Sequence, residues 1–517
     1  MRVSRGIWAR VAAALWCVVT AIGCHQPRPE AAQPEPGRPE QARPGVQTGI
    51  FGPSSSPVFE LPRRAAMRAM PQESEWPEIG REAADLLTQY LRFNTTNPPG
   101  NEIQTARFLQ AVLAREGIES QIFEPAPGKA NLHARLRGDG SARAIVLLSH
   151  MDVVEASPEY WSVDPFGGMV RDGYLYGRGA LDMKGQGIAQ LMAMILLRRS
   201  GLPLRRDVIF LATADEEVGG MSTLGAAWIA REHPELVQGA EFLINEGGAT
   251  RTDETGNLSY FGIGTTEKAP FWLSVTTHGT AGHGSRPTPD NAVERLIRAL
   301  ARIEALETPL VVTPAADRFF KDLATRETNQ QIRGWLQDVG AAIADPAARR
   351  YFTGDLYYNA ILRNTISVTR VTGSGKVNVI PPIARAEVDV RLLPGQDPQQ
   401  FLADLRRTVN DTAVAIGPLG TVWNATESPV ETELFRAASD AIRRRFPTAL
   451  VTTPMLSGFT DSHYFRRMGI ASYGIQPFAL PESESRGVHG NDERISLWNV
   501  QFGVHYFFDV LRSVAGH

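Results

Sequence analysis

Cysteine is almost absent from this chain of 517 residues: there are two, Cys17 and Cys24, both near the N-terminus. Beyond them no disulfide can form and no thiolate can bind a metal or attack a carbonyl. That excludes cysteine-built zinc sites and cysteine nucleophiles from the folded part. A cationic excess is missing too, since 53 Lys and Arg stand against 56 Asp and Glu, a formal net charge of −3. Nothing is left over to neutralise a phosphate backbone, so no nucleic-acid partner is expected. None of the ten histidines lies in a His-Glu-x-x-His pattern, which removes the single-zinc helix of thermolysin-like peptidases. What is present is an ordinary globular composition, 43% apolar and 21% charged, in a chain long enough for two or three domains.

Residues 1–10 carry Arg2, Arg5 and Arg10 and no acid, and an uncharged stretch follows from Val11 to Gly23. That stretch is short of the roughly 20 residues a permanent membrane helix needs, and reads as an export signal. It ends Ala21-Ile22-Gly23-Cys24, which resembles a bacterial lipoprotein signal with Cys24 as the lipidated residue, apart from Ala21 where leucine is usual. Residues 26–62 hold nine prolines and few apolar residues, as in an extended tether. The expected organisation is a signal peptide over 1–23, a proline-rich disordered tether over 24–74, a catalytic domain from 75–267 and 428–517, and an inserted lid domain over 268–427. The chain is therefore expected to be exported and membrane-associated only through an N-terminal lipid, facing the periplasm or cell exterior.

From about residue 76 strands and helices alternate. Ala144–Leu148, Val208–Ala212 and Glu241–Ile244 are apolar and strand-length, and Gly187–Arg198 reads as a buried Met-rich helix. Continuously apolar strands between helices imply a sheet covered on both faces, an α/β fold whose ligands gather at the carboxyl ends of the strands. At those ends stand His150 and Asp152, then Glu216 and Glu217, then Glu246. In extended chain His150 and Asp152 point the same way, so the carboxylate can orient the imidazole. The turn Gly177-Arg178-Gly179-Ala180-Leu181-Asp182-Met183-Lys184-Gly185 holds Asp182, either a helix cap or a carboxylate shared by two metals. Adjacent Glu216 and Glu217 repel unless cations or protons separate them. His489 lies in Gly487-Val488-His489-Gly490 near the C-terminus.

This order of motifs resembles the di-zinc family of aminoacylase, carnosinase, carboxypeptidase G and succinyl-diaminopimelate desuccinylase, over residue 80 to the C-terminus. The carboxypeptidase S-like members are the most similar in pattern. The resemblance implies a mixed central sheet covered by helices with an inserted α+β lid and dimerisation domain. It implies two Zn2+ per chain (Co2+ or Mn2+ being compatible with nitrogen and oxygen donors). One zinc would be held by His150 and Glu246, the other by Glu217 and His489, with Asp182 bridging. Asp152 would support His150, Glu216 would be the general base, and the Asp182–Met183 peptide would be cis. Asn245 stands where relatives often have Asp. In the lid, His283 would stabilise an oxyanion, often from a partner subunit. Arg391, within Asp389-Val390-Arg391-Leu392-Leu393-Pro394-Gly395, and Asn364 would bind the substrate carboxylate, and Gly458 would line the pocket. The implied activity is hydrolysis of the amide of an N-acyl amino acid or short peptide with a free carboxylate. The alternative is an exported lipoprotein that binds peptide or metal without turnover; a free acid such as Glu216 beside the ligands has no purpose there. Residues 310–360 carry no recognisable motif, and Trp335–Ala347 is expected to be helical.

Overall fold

A computed structural model describes residues 59–517, apart from Ala66, Arg68, Ala69, Gly220 and Met221. The expected signal and most of the expected tether lie outside the described residues. The tether was expected to reach residue 74, but from Phe59 the chain is packed. Phe59 meets the ring of Phe108 at 5.6 Å, Ala65 donates its backbone N–H to Glu82 at 2.9 Å, and Leu61, Met67 and Met70 lie against the main core. Apolar residues spaced among the last prolines dock this segment. Among the described residues no helix is long and apolar enough to cross a membrane.

The central sheet has six strands in the order 119–126, 129–136, 208–213, 144–150, 240–245 and 471–474. The first two form an antiparallel hairpin that pairs antiparallel with 208–213; the remaining neighbours are parallel. Ala144–His150 and Val208–Thr213 are buried along their whole length, as continuous apolar runs covered on both faces require. The buried helix expected over Gly187–Arg198 runs from Lys184 to Ser200, is buried from Lys184 to Leu197 and packs against the C-terminal helix Leu497–Ala515. The parallel strands 208–213, 144–150 and 240–245 deliver their carboxyl ends to one edge, which places the acids and imidazole that follow them together.

A second sheet draws its strands from residues 269–418 and is antiparallel throughout. The strand Ile383–Leu392 lies inside it, with Thr365–Thr372 on one side and Ala269–Pro270 and Leu273–His278 on the other; Val414–Pro418 pairs outside 273–278. Helices Ala292–Glu304 and Pro398–Val409 share a core with it through Leu296, Ile303, Leu402 and Leu405. Along Ile383–Leu392 the residues Val388, Val390 and Leu392 are buried while Glu387, Asp389 and Arg391 are partly exposed, the alternation of a strand with one face covered.

Residues 314–361 form five short helices around a core of their own, including Phe319, Phe320 and Phe352. The expected single helical stretch Trp335–Ala347 is broken into parts of three. Asp338 and Asp345 each cap a new helix with their side chains, accepting from Ala341 and Ala347, and Pro346 opens the last. A capping Asp followed by Pro stops one helix and starts another. This segment is tied to the second sheet by buried Lys268. Its Nζ donates to the carbonyls of Ala360 and Arg363 and to Thr365 Oγ1, each at 2.9 Å. Lys268→Met leaves these acceptors buried and unpaired, so urea unfolding is expected to show a loss of about 2–4 kcal/mol.

Candidate metal centre

His150 ends its strand, Glu216 and Glu217 follow the next, and Glu246 follows Asn245 at the end of the third. Asp182 comes from the glycine-rich turn before the buried helix, and His489 from the loop before the C-terminal helix. The structure brings them into two groups that share one member: His150, Asp182 and Glu246, and Asp182, Glu217 and His489, with donor atoms within 4.8 Å in each. His150 Nε2 lies 3.1 Å from Asp182 Oδ1 and 3.9 Å from Glu246 Oε1. His489 Nε2 lies 3.1 Å from Asp182 Oδ2 and 3.3 Å from Glu217 Oε2. Each oxygen of Asp182 thus faces a different imidazole. Asp182 does not cap the helix: the cap position is Met183, with no side-chain hydrogen bond, and the Asp182–Met183 peptide is cis.

Asp152 is fully buried, but its carboxylate is 3.6 Å from His150 Nδ1, farther than its own carbonyl oxygen at 3.0 Å. The carboxylate chiefly holds the next turn, accepting from the backbone N–H groups of Glu216 at 3.1 Å and Glu217 at 3.0 Å. Asn97 Nδ2 donates to Asp152 at 2.7 Å and to Asp215 at 3.0 Å, and Lys129 donates to Asn97 Oδ1 and Asp215, both at 2.8 Å. Glu493 anchors the other turn. One oxygen accepts from Leu181 and Asp182, the other from Gly179 and from Arg178 Nη1 at 2.6 Å. Asn97, Lys129 and Glu493 escaped sequence reasoning because a supporting residue carries no motif until its partners are known. Glu493→Gln is expected to weaken metal retention about 10- to 100-fold, read by chelator competition, since it loosens a turn that aims a ligand.

The electrostatics are those of a site built for cations. Burial raises Glu216 and Glu246 well above the carboxylate range, helped for Glu216 by the charge of Glu246 and for Glu246 by that of Asp182. Burial also raises Glu217, against its hydrogen bond with His489, and it lifts Asp461 to about 7. Burial opposes ionisation of Asp182 as well, but hydrogen bonds from His150 and His489 hold it low. Hydrogen bonds to Asp182 and Glu217 push His489 up to about 10. Glu217 Oε1 is buried with no hydrogen-bond partner. Crowded acids, two imidazoles and an orphaned carboxylate oxygen fit a pair of divalent cations bound by nitrogen and oxygen.

The remaining expected site residues have local partners. Arg391 is engaged by Asp389, with Nε 2.7 Å and Nη2 3.1 Å from its two oxygens. Asn364 is buried; it accepts from Leu393 N–H and donates to Gln396, holding the turn after that strand. His283 is exposed, with Nδ1 2.8 Å from Ser285 Oγ. Gly458 lies beside Leu456, in the loop leading to buried Asp461, which accepts from Thr213 at 3.3 Å. Asn245 is buried and donates to Ser462, not to the acid cluster.

A family profile described as peptidase family M20/M25/M40 matches residues 146–513. The chain belongs to that family. It is 28% identical over 381 residues to N-fatty-acyl-amino acid synthase/hydrolase PM20D1 of Homo sapiens, covering 72% of this chain and 75% of the relative. Aminoacylase-1 of Sus scrofa is 27% identical over 454 residues, 87% of this chain and 98% of the relative. The crystal structure of an M20 family metallo-carboxypeptidase, Sso-CP2 from Sulfolobus solfataricus, superposes with a TM-score of 0.64 at 18% identity, covering 83% of this chain and 98% of that one. The fold is thus that of M20 enzymes, a mixed sheet covered by helices with an inserted second α+β unit, and the protein is a metallohydrolase of this family.

Proposed function

We propose that the protein hydrolyses the amide bond of N-acyl amino acids or short peptides that carry a free carboxylate, using two Zn2+, with Co2+ or Mn2+ able to substitute. The observation that carries this reading is the placement of one carboxylate, Asp182, with an imidazole at each oxygen, together with a half-buried acid, Glu216, that belongs to neither donor group. His150, Asp182 and Glu246 would hold one cation and Asp182, Glu217 and His489 the other. Bound there, the pair would lower the pKa of water and polarise the substrate carbonyl. Glu216 takes the proton of the attacking water and returns it to the leaving nitrogen. Asp152 fixes the backbone of Glu216 and Glu217 so that the base and a ligand keep their spacing.

The inserted unit, 268–427, would supply a lid. His283, being exposed, is free to meet the site of a partner subunit in a homodimer, and Arg391 and Asn364 would serve the substrate carboxylate only if Arg391 exchanges Asp389 for it. The test is metal analysis together with hydrolysis assays on N-acyl amino acids and dipeptides. About two metals per chain and chelator-sensitive release of free amino acid are expected; metal binding without any turnover would leave the binding-protein reading instead. Export and anchoring rest on the arginine-led apolar leader and Cys24. Cys24→Ser is expected to move the protein out of the membrane fraction, read by immunoblot of fractionated cells.

A further inference from the structure

Gly219 closes the turn that carries the acid Glu216 and the ligand Glu217: its backbone N–H donates to the Glu216 carbonyl at 2.9 Å. Its φ is +69°, a conformation that side chains rarely adopt. Space forbids a side chain there as well, because a Cβ would come within 2.9 Å of Trp272 Cη2 and 3.3 Å of Trp272 Cζ2. Trp272 belongs to the inserted unit, between the strand segments Ala269–Pro270 and Leu273–His278. The backbone there is fixed: Phe271 N–H donates to the Val390 carbonyl at 2.7 Å, and the Trp272 carbonyl accepts from Leu419 N–H at 2.8 Å. Phe271 and Leu273, on either side, are buried in the core of that unit, while Trp272 is half-buried, so its indole lies on the other face. There Nε1 donates to Asp389 Oδ1 at 3.1 Å. An indole nitrogen can only donate, so this bond sets the direction of the ring. One ring thus has its nitrogen on the inserted unit and its far edge on the turn of Glu216 and Glu217.

We propose that Trp272 is a positioning residue of the reaction: its indole, held by Asp389, seats the Glu216–Gly219 turn, so that base and ligand keep their aim while the inserted unit stands against them. The inference rests on the hydrolase reading, in which Glu216 is the base and Glu217 a metal ligand. Packing alone would ask for an apolar group of suitable bulk at position 272. Two features ask for this ring in this direction: a glycine on one side, without which the edge could not approach, and an acceptor on the other. Asp152 already holds the N–H groups of Glu216 and Glu217, and Ser222 N–H donates to the Gly219 carbonyl at 3.0 Å, but those contacts come from the same part of the chain as the turn. The indole adds a support from the inserted unit. Asp389 Oδ1 also accepts from Arg391 Nε at 2.7 Å, so the residue proposed for the substrate carboxylate and the ring that seats the base share one anchor. A misplacement of about 1 Å in a reacting group can cost about 100-fold in rate, which makes such a contact matter although it touches no substrate.

The test is a double-mutant cycle across the contact in the full-length, metal-loaded protein. Trp272→Ala is expected to lower kcat about 10- to 100-fold with KM little changed. It is also expected to weaken metal retention about 10-fold in chelator competition, a readout that needs no turnover. Gly219→Ala presses on the ring from the opposite side and leaves the inserted unit unaltered, so it serves as the second variant should Trp272→Ala fold poorly; the same losses are expected. The double variant Trp272→Ala/Gly219→Ala is expected to be no worse than the poorer single one, because both substitutions break one contact. Coupled losses of metal retention support the seating role even if wild type hydrolyses none of the amides offered, in which case the hydrolase reading alone fails. Wild-type kcat and metal retention in Trp272→Ala, a loss confined to KM, or single losses that multiply in the double variant would overturn the positioning role while hydrolysis stands.

Discussion

Replacing Glu216 by glutamine is expected to lower kcat by about 100- to 10,000-fold while leaving about two metals per chain, the range lost when a positioned acid–base group is removed. The side chain keeps its size and its backbone contacts to Asp152, so the turn should hold its shape. Glu216 lies in neither donor group, which is why metal content should not follow activity. What disappears is a half-buried carboxyl able to take a proton and give it back. KM is expected to change little, because the acid acts on the water and the leaving group. Measuring kcat, KM and bound metal on the same samples checks this; equal rates in variant and wild type would remove Glu216 from its role.

Asp182→Asn is expected to do more, abolishing hydrolysis and lowering metal content below one per chain. Asp182 alone faces both imidazoles, at 3.1 Å on each side. An amide offers one acceptor oxygen and presents N–H where the second cation would lie. Bound zinc should also raise the wild-type Tm by mass action, and the variant should lose that rise. Chelation of wild type should imitate the variant and be reversed by added zinc, whereas the variant should not recover. Elemental analysis and thermal scans with and without zinc read all of this.

The strands and acids of the metal centre were legible because chemistry and periodicity coincide there. A continuously apolar run followed by His150, or by Glu216 and Glu217, marks both a buried strand and the edge where ligands collect. Arg391 and Asn364 were legible only as motif positions; Arg391's partner Asp389 is 2 residues away, Asn364's partners Leu393 and Gln396 are 29 and 32 residues away, and sequence does not say whether a polar side chain serves another part of the chain or a substrate. Glu493 and Lys129 were silent for a related reason. Their value comes from groups far away in the chain, the Gly179–Asp182 turn for one and Asp215 for the other.

From its residues alone the chain declares an α/β sheet with acids and an imidazole at its strand ends, because strand periodicity is a local constraint that leaves local marks; the division into five ligands and a spare acid came from the family resemblance. The meeting of Asp182 with His489 and the hold of Asp152 on the Glu216–Glu217 backbone exist only once the chain is folded. They depend on the directions of groups brought together from distant positions in the chain, 65 residues apart for Asp152 and Glu217, and packing, not spacing in the chain, sets those directions.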